Sequence, residues 1–258
     1  MNLLKFPQTE TKTKVTSMLT PVEIESLFTR TDGTYLCARW GRPIAPVVFG
    51  ADDATLLIIK DALSAVATLA GHDMIDIDPE LGSNLMVFFV RDWTELTATP
   101  NLDCLIPELA ALIPRLEEAD ANQYRFFRFD AVGGIKAAFV FIRMDEALSE
   151  VPAETLALSQ AVQTILLWSD LAFTQTSPLA VTANGMALLK PEIASVIRAV
   201  YNPVLPVTAN DPSHASHVAA RVVAMHCLFY PSYPGPRSTR CSLPPTPPDQ
   251  NTKNYTPH

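Results

Sequence analysis

The stretch YRFFRFDAVGGIKAAFVFIRM, residues 124–144, decides the fold class of this chain. Both of its halves are rich in aromatic and β-branched residues, which favour strands. The Gly133-Gly134 pair between them is typical of a hairpin turn. We therefore expect two antiparallel strands, Tyr124 to Phe129 and Ile135 to Met144, and this hairpin argues against a purely parallel, doubly wound sheet.

Helix and strand patterns alternate upstream of this hairpin. Apolar residues at helical spacing follow Asp52 and Asp53, and Gly71 is a typical helix end. The continuous apolar run Leu85 to Val90 is typical of a buried strand. The remaining upstream segments predict a helix from Thr20-Pro21 to about Arg30, a short strand from Ile44 to Phe49, and a helical stretch from Asp103 to Ala119 interrupted by Pro107 and Pro114.

Only helices are expected after the hairpin. They span Pro152 to about Phe173, Pro191 to Tyr201, and Ser213 to about Leu228. The first of these is apolar on nearly every side, which predicts a central buried helix. The order of elements predicts an α+β fold, with a mixed β-sheet that carries helices on one face, followed by a helical C-terminal part.

The chain divides into a core and two tails. Its 258 residues are 48% hydrophobic, enough for a sizeable core, which we place at residues 18–230 as a single globular domain. Residues 1–17 show little periodicity and are expected to be a flexible tail. Residues 231–258 contain eight prolines and are expected to be disordered and dispensable for stability. With no apolar run of about 18–20 residues and no secretory leader pattern, we expect a cytoplasmic protein that does not bind membranes.

The charge of the core argues against nucleic acid as a partner. The whole chain has a net charge of −8, and residues 15–230 hold 25 acidic and 13 basic residues. A surface of this sign repels a phosphate backbone, whose binding requires cationic contacts. We therefore expect no nucleic-acid partner.

Common catalytic and cofactor motifs are missing from the sequence. The four cysteines form no C-x-x-C pair, and there is no dinucleotide fingerprint, P-loop or G-x-S-x-G elbow. His214 and His217 are spaced like metal ligands, but we interpret them as part of a capped surface helix. The acidic segment from His72 to Glu80 lacks the spacing of a calcium loop and predicts an exposed acidic loop. We expect neither cofactor nor bound metal.

The segment Thr31 to Pro43 is the best candidate surface. Arg39 and Arg42 are suited to bind a carboxylate or phosphate group, and Tyr35 and Cys37 lie beside them. We assign these four residues to a ligand-binding site. Two alternatives remain open: a purely structural strand, and a cysteine-dependent enzyme in which nearby arginines activate Cys37 and His72 is the base.

Several short motifs are similar to those of a known family. They are Arg39-Trp40-Gly41-Arg42-Pro43, a strand over Asn84 to Val90, and a helix within Leu188 to Pro203 that ends in Tyr201-Asn202-Pro203. Together they resemble an uncharacterised bacterial domain family related to zincin metallopeptidases, over about Arg39 to Val223. Zincins carry H-E-x-x-H on their functional helix, and the corresponding helix here, Glu154 to Trp168, has no histidine. The resemblance implies a zincin-like scaffold without the zinc chemistry, a pseudoenzyme.

These observations favour a non-catalytic binding or interaction protein. Its partner would be a small anionic ligand or another protein. The alternative is the enzyme that depends on Cys37.

Overall fold

A computed structural model of the chain describes residues 2–4 and 18–229. The strands are β1 (Asn2–Leu4), β2 (Cys37–Ala38), β3 (Pro46–Phe49), β4 (Leu85–Val90), β5 (Gln123–Phe129), β6 (Ile135–Arg143), β7 (Leu179–Val181), β8 (Ala187–Leu189) and β9 (Thr208–Ala209). The helices are α1 (Pro21–Ser26), α2 (Asp53–Ala70), α3 (Glu95–Ala98), α4 (Leu102–Leu105), α5 (Leu109–Glu118), α6 (Glu146–Ser149), α7 (Ala153–Ile165), α8 (Pro191–Val200) and α9 (Ser213–Phe229). None of these helices is both long and apolar enough to cross a membrane.

Five strands form one mixed sheet in the order β1-β5-β6-β4-β3. Strands β3, β4 and β6 are parallel, whereas β5 runs antiparallel to both β6 and β1. The predicted hairpin is confirmed: β5 and β6 are joined by a turn in which Gly133 has a φ of +84°, a conformation that glycine adopts without strain. The Oδ1 atom of Asp130 accepts hydrogen bonds from the backbone N–H groups of Val132 and Gly134. The predicted α+β class with a mixed sheet is therefore confirmed.

Both faces of this sheet are covered. Alternate residues of β4 and β6 point to opposite faces, and apolar residues occupy both sets. The larger core lies on the face of Leu85 and Val87 and includes α1, α2, α7, α8 and α9. On the face of Phe88 and Val90, a smaller core includes Trp93 and the short helices α3, α4 and α5. The sequence analysis placed helices on one face only, and the second layer is needed because strands apolar on both faces have to be covered twice.

Local sequence signals set several helix ends. Thr20 caps α1 in a capping box with Glu23, although the helix ends at Ser26 and not near Arg30. Asp52 caps α2 through a hydrogen bond from the backbone of Thr55. Gly71 ends α2 in the left-handed conformation, as predicted.

Helix α7 is shorter than predicted. It ends at Ile165 instead of Phe173, because the backbone of Leu166 is extended and bridges to Arg39. The backbone N–H of Leu167 then donates to the carbonyl of Ala38. Pairing with this passing strand replaces the helical hydrogen bonds from Leu166 onward. The prediction that α7 is a central buried helix is confirmed, since both its apolar and its polar residues from Ser159 to Ile165 are buried.

The tails and the segment after α7 also differ from expectation. Residues Asn2–Leu4 pair with β5, so the expected flexible tail over 1–17 is wrong for these three residues. The free edge of β5 supplies the backbone donors and acceptors that hold them. The hairpin of β7 and β8 was not predicted, because its strands are only three residues long. The expected disordered tail over 231–258 lies outside the described residues.

Candidate functional site

The segment from Tyr35 to Arg42 pairs with three separate parts of the fold. Cys37 and Ala38 form β2, which pairs with β9. Arg39 bridges to Leu166 after α7, and Trp40 bridges to Ile135 at the start of β6. The candidate segment therefore links the end of the buried helix to the sheet, and most of it is structural.

Tyr35 and Cys37 are not available to a ligand. They are 3% and 1% exposed, respectively. The hydroxyl of Tyr35 is hydrogen-bonded to Nδ1 of His214 at 2.8 Å. Burial raises the pKa of the Cys37 thiol, and the charge of Arg39 opposes this rise without cancelling it. The assignment of these two residues to a ligand-binding surface is corrected, because the larger core encloses them.

Arg42 is engaged in a structural ion-pair network. Its Nη1 atom lies 2.8 Å from Oε2 of Glu80 and 3.4 Å from Oδ2 of Asp78. Asp78 is only 3% exposed and accepts hydrogen bonds from the backbones of Glu80 and Leu81 and from Nδ2 of Asn84. The acidic loop that the sequence predicts to be exposed is therefore held in place by the buried carboxylate of Asp78. The Arg42 guanidinium stabilises this loop and is removed from the candidate site.

Unlike Arg42, Arg39 has no counter-ion within the described part of the chain. Its guanidinium lies 5.5 Å from the ring centroid of Tyr201, and its Nη2 donates to the carbonyl of Leu205 at 3.3 Å. Its Nε is buried without a hydrogen-bond partner. None of the carboxylates in residues 18–229 forms an ion pair with it. Arg39 is half-buried, so its charged group is partly accessible, although the unpartnered Nε itself is buried.

His72 lies against the same tyrosine. Its ring centroid is 5.2 Å from that of Tyr201, and its Nε2 is 2.8 Å from the carbonyl oxygen of Arg42. Since a carbonyl only accepts, Nε2 carries the hydrogen and Nδ1 carries the lone pair. Burial lowers the pKa of His72, so the ring is mainly neutral at pH 7. The half-buried ring thus offers an Nδ1 that becomes a second donor when it is protonated.

The ring of Tyr201 lies against both the Arg39 guanidinium and the His72 imidazole. Its hydroxyl donates to the carbonyl of Ile165 at 2.8 Å, and the backbone N–H of Trp40 donates to the hydroxyl at 3.4 Å. Burial raises the pKa of this phenol, so it stays neutral. Two hydrogen bonds at one end fix the ring in place, and we call this group the Arg39–His72–Tyr201 site.

Sequence reasoning found part of this site. It selected Arg39, considered His72 only as a base for Cys37, and noted Tyr201 only within a helix-end motif. Nothing in the local pattern reveals that these three side chains meet, because 33 positions separate Arg39 from His72 and 129 separate His72 from Tyr201. On the expected surface helix, His217 is exposed, whereas His214 is buried and its Nδ1 is hydrogen-bonded to Tyr35.

Within residues 18–229, no group of three or more His, Cys, Asp or Glu side chains is arranged to hold a metal ion. Comparison of the chain with models of known protein families, with curated proteins and with solved structures finds no match.

Proposed function

We propose that this chain is a non-catalytic binding protein that takes a small anion, a carboxylate or phosphate group, at the Arg39–His72–Tyr201 site. The observation that supports this is the Arg39 guanidinium, which is half-buried, carries an unpartnered Nε and has no carboxylate counter-ion in the described fold. Hydrogen bonds from a guanidinium to an anion are charge-assisted and stronger than neutral ones. His72 adds a second donor when Nδ1 is protonated.

A binding role fits this site better than catalysis by Cys37. A nucleophilic cysteine has to be a thiolate that its substrate can reach. Cys37 is buried, and its raised pKa keeps the thiol protonated. His72 directs Nε2 to a backbone carbonyl, so that nitrogen is occupied.

We extend the proposal to the scaffold. In this extension α7 corresponds to the zinc-binding helix of the family that the sequence resembles, and its sequence AETLALSQAVQTI contains no histidine. Its buried polar side chains bond to one another and to neighbouring elements, as in the hydrogen bond from Gln163 to Ser159. In this proposal a zincin-like framework serves as a rigid support for ligand binding.

Titration calorimetry with phosphate, acetate and succinate tests the proposal. We expect R39Q to weaken binding about tenfold or more, which corresponds to the roughly 1.5–3 kcal/mol of a hydrogen bond to a charged group. R91Q is the matched control, since it removes the same charge from an exposed position elsewhere on the chain. Acetate binding should also tighten as the pH falls below 6.5, because the pKa of His72 is lowered and the ring gains its proton there.

Equal affinities for R39Q and R91Q, with both folded by circular dichroism, would contradict the proposal. If R39Q does not fold, R39K provides the second measurement. It keeps the positive charge but lacks the Nε donor, so it should bind more weakly than the wild type. Binding by R39K at wild-type affinity would also count against the site.

A further inference from the structure

A second arginine is enclosed far more completely than Arg39. Arg125 lies in the middle of β5 and is 4% exposed. Its Nη2 donates to Oε1 of Gln160 at 2.6 Å and to Oε1 of Gln123 at 3.1 Å. Gln160 in turn donates from Nε2 to the same Gln123 oxygen at 2.9 Å. The three side chains form one buried cluster between β5 and α7.

In this cluster the Arg125 guanidinium has no counter-ion in the described fold, and two of its nitrogen atoms have no hydrogen-bond acceptor. The Nε and Nη1 atoms of Arg125 are buried without hydrogen-bond partners. Within the described part of the chain, no carboxylate forms an ion pair with Arg125. Burial lowers the pKa of Arg125 to about 9, so the group remains charged at neutral pH.

An enclosed charge of this kind is costly. Removing an ion from water carries a large desolvation penalty, which is offset only by an opposite charge with good hydrogen bonds. Two amide oxygens supply partial negative charge to one nitrogen only. A group with a full negative charge and free acceptor atoms would satisfy the remaining donors, Nε and Nη1.

We propose that the Gln123–Arg125–Gln160 cluster is a binding site for a small free carboxylate, which reaches the Nε and Nη1 donors of Arg125. A carboxylate fits better than a doubly charged phosphate, because a single negative charge neutralises the single cation. Its oxygens accept hydrogen bonds and leave no further polar hydrogen to satisfy.

This site is separate from the Arg39–His72–Tyr201 site. Trp40, next to Arg39, bridges to Ile135 at the start of β6, whereas Arg125 pairs with Val140. Five residues of strand separate these positions, a distance of about 17 Å at roughly 3.3 Å per residue. Variants at one site therefore leave the other site intact, and the two proposals fail independently.

The test compares melting temperatures of the full chain in sodium acetate and in sodium chloride at equal ionic strength. All proteins in this test carry R39Q, so that the Arg39–His72–Tyr201 site adds no acetate response of its own. We expect acetate to raise the melting temperature of R39Q by about 2 °C or more, through mass action on the folded state. R39Q/R125Q should lose this response. R39Q/R128Q, which removes an exposed charge from the same strand, should keep it.

Gln160→Glu makes the test independent of whether R125Q folds. The new carboxylate would lie at the position of the Gln160 amide, 2.6 Å from Nη2 of Arg125, and would supply the counter-ion from within the protein. In the R39Q background we expect Q160E to melt above R39Q in chloride and to show no acetate response. Gln163→Glu is the control: Gln163 bonds to Ser159, so its replacement should lower the melting temperature.

Two results would overturn the proposal. One is Q160E in the R39Q background that melts below R39Q or still responds to acetate. The other concerns the source of the carboxylate, since Glu10 and Asp249 are the only acidic side chains outside the described residues. If R39Q shows no acetate response, and R39Q/E10Q/D249N melts lower in chloride and is restored by acetate, the counter-ion belongs to the chain and not to a ligand.

Discussion

At the scale of single residues, burial determines the chemistry of this protein. His214 is 4% exposed, with Nδ1 bonded to the Tyr35 hydroxyl and Nε2 buried without a partner. Burial lowers the pKa of His214 below the ordinary value of 6.5, and it does the same for His72. Both histidines are therefore neutral in the folded protein at pH 7, although the unfolded chain takes up protons near pH 6.5.

We predict that the protein loses stability as the pH falls below about 6.5. In that range the unfolded state binds more protons than the folded state, so the free energy of unfolding decreases with decreasing pH. Each histidine contributes at most about 1.4 kcal/mol per pH unit. Urea unfolding at pH 7.5 and at pH 5.5 measures the difference.

The variants H214N and H217N separate this effect from general acid sensitivity. H214N should show a smaller loss between the two pH values, because it removes a buried titrating group. H217N should behave like the wild type, because His217 is exposed. An equal loss in all three proteins would show that His214 does not carry the pH dependence.

At the scale of elements, capping side chains and aromatic donors mark where helices end. Asp52 provides the N-cap of α2. At the other end of a helix, three of the last carbonyls of α7 accept side-chain hydrogen bonds: Val162 from Trp168, Thr164 from Trp40, and Ile165 from Tyr201. These groups would otherwise be unsatisfied in the core. The aromatic donors thus end α7 and anchor the segment that carries Arg39.

We predict that D52A destabilises the protein by about 1 kcal/mol, the usual contribution of an N-cap. D53A, one position further on, should cost less than about 0.5 kcal/mol, because Asp53 contributes only its charge near the helix N-terminus. Thermal unfolding of the two variants provides the comparison. A larger loss for D53A than for D52A would mean that the hydrogen bond from the backbone of Thr55 to Asp52 is not what stabilises this helix end.

We predict that Ile165→Ala lowers the free energy of unfolding by about 2–5 kcal/mol, as is usual for a buried aliphatic side chain. Ile165 is buried at the end of α7. Leu57→Ala on α2 is the control, since Leu57 is 62% exposed and should change stability by less than about 0.5 kcal/mol. Similar losses for both variants, measured by urea unfolding, would contradict the buried position of α7.

At the scale of the whole molecule, the central sheet joins two cores. On its second face, an aromatic row crosses four strands: Phe49 and Phe88 have centroids 4.7 Å apart, Phe88 and Phe141 5.3 Å, and Phe141 and Tyr124 6.4 Å. The backbone of the same strands supports the larger core on the other face. The two cores share a scaffold but not their side-chain contacts.

We predict a single cooperative unfolding transition that both cores influence. Leu116→Ala in the smaller core and Ile165→Ala in the larger core should lower the same transition. Their effects should add to within about 0.5 kcal/mol in the double variant, because the two sites share no contacts. Two separate transitions in calorimetry would show that the cores unfold independently.

Part of this protein follows from its sequence alone. Strand β4 and the β5–β6 hairpin are indicated by apolar runs and a Gly-Gly turn, and α2 by Asp52 and Gly71, because these signals act between residues close together in the chain. Local patterns also selected Arg39, since its neighbourhood is rich in functional groups.

Whether a polar side chain has a hydrogen-bond or ion-pair partner in the described fold depends on its tertiary contacts and cannot be read from the local sequence. The tertiary structure buried Tyr35 and Cys37, paired Arg42 with Asp78 and Glu80, and left Arg39 and Arg125 without carboxylates in the described fold. It also ended α7 eight residues early, through a backbone bridge from Leu166 to Arg39. The physical reason is that burial and ion pairing depend on residues brought together from distant parts of the chain, whereas helix caps and turns depend on neighbours a few residues apart.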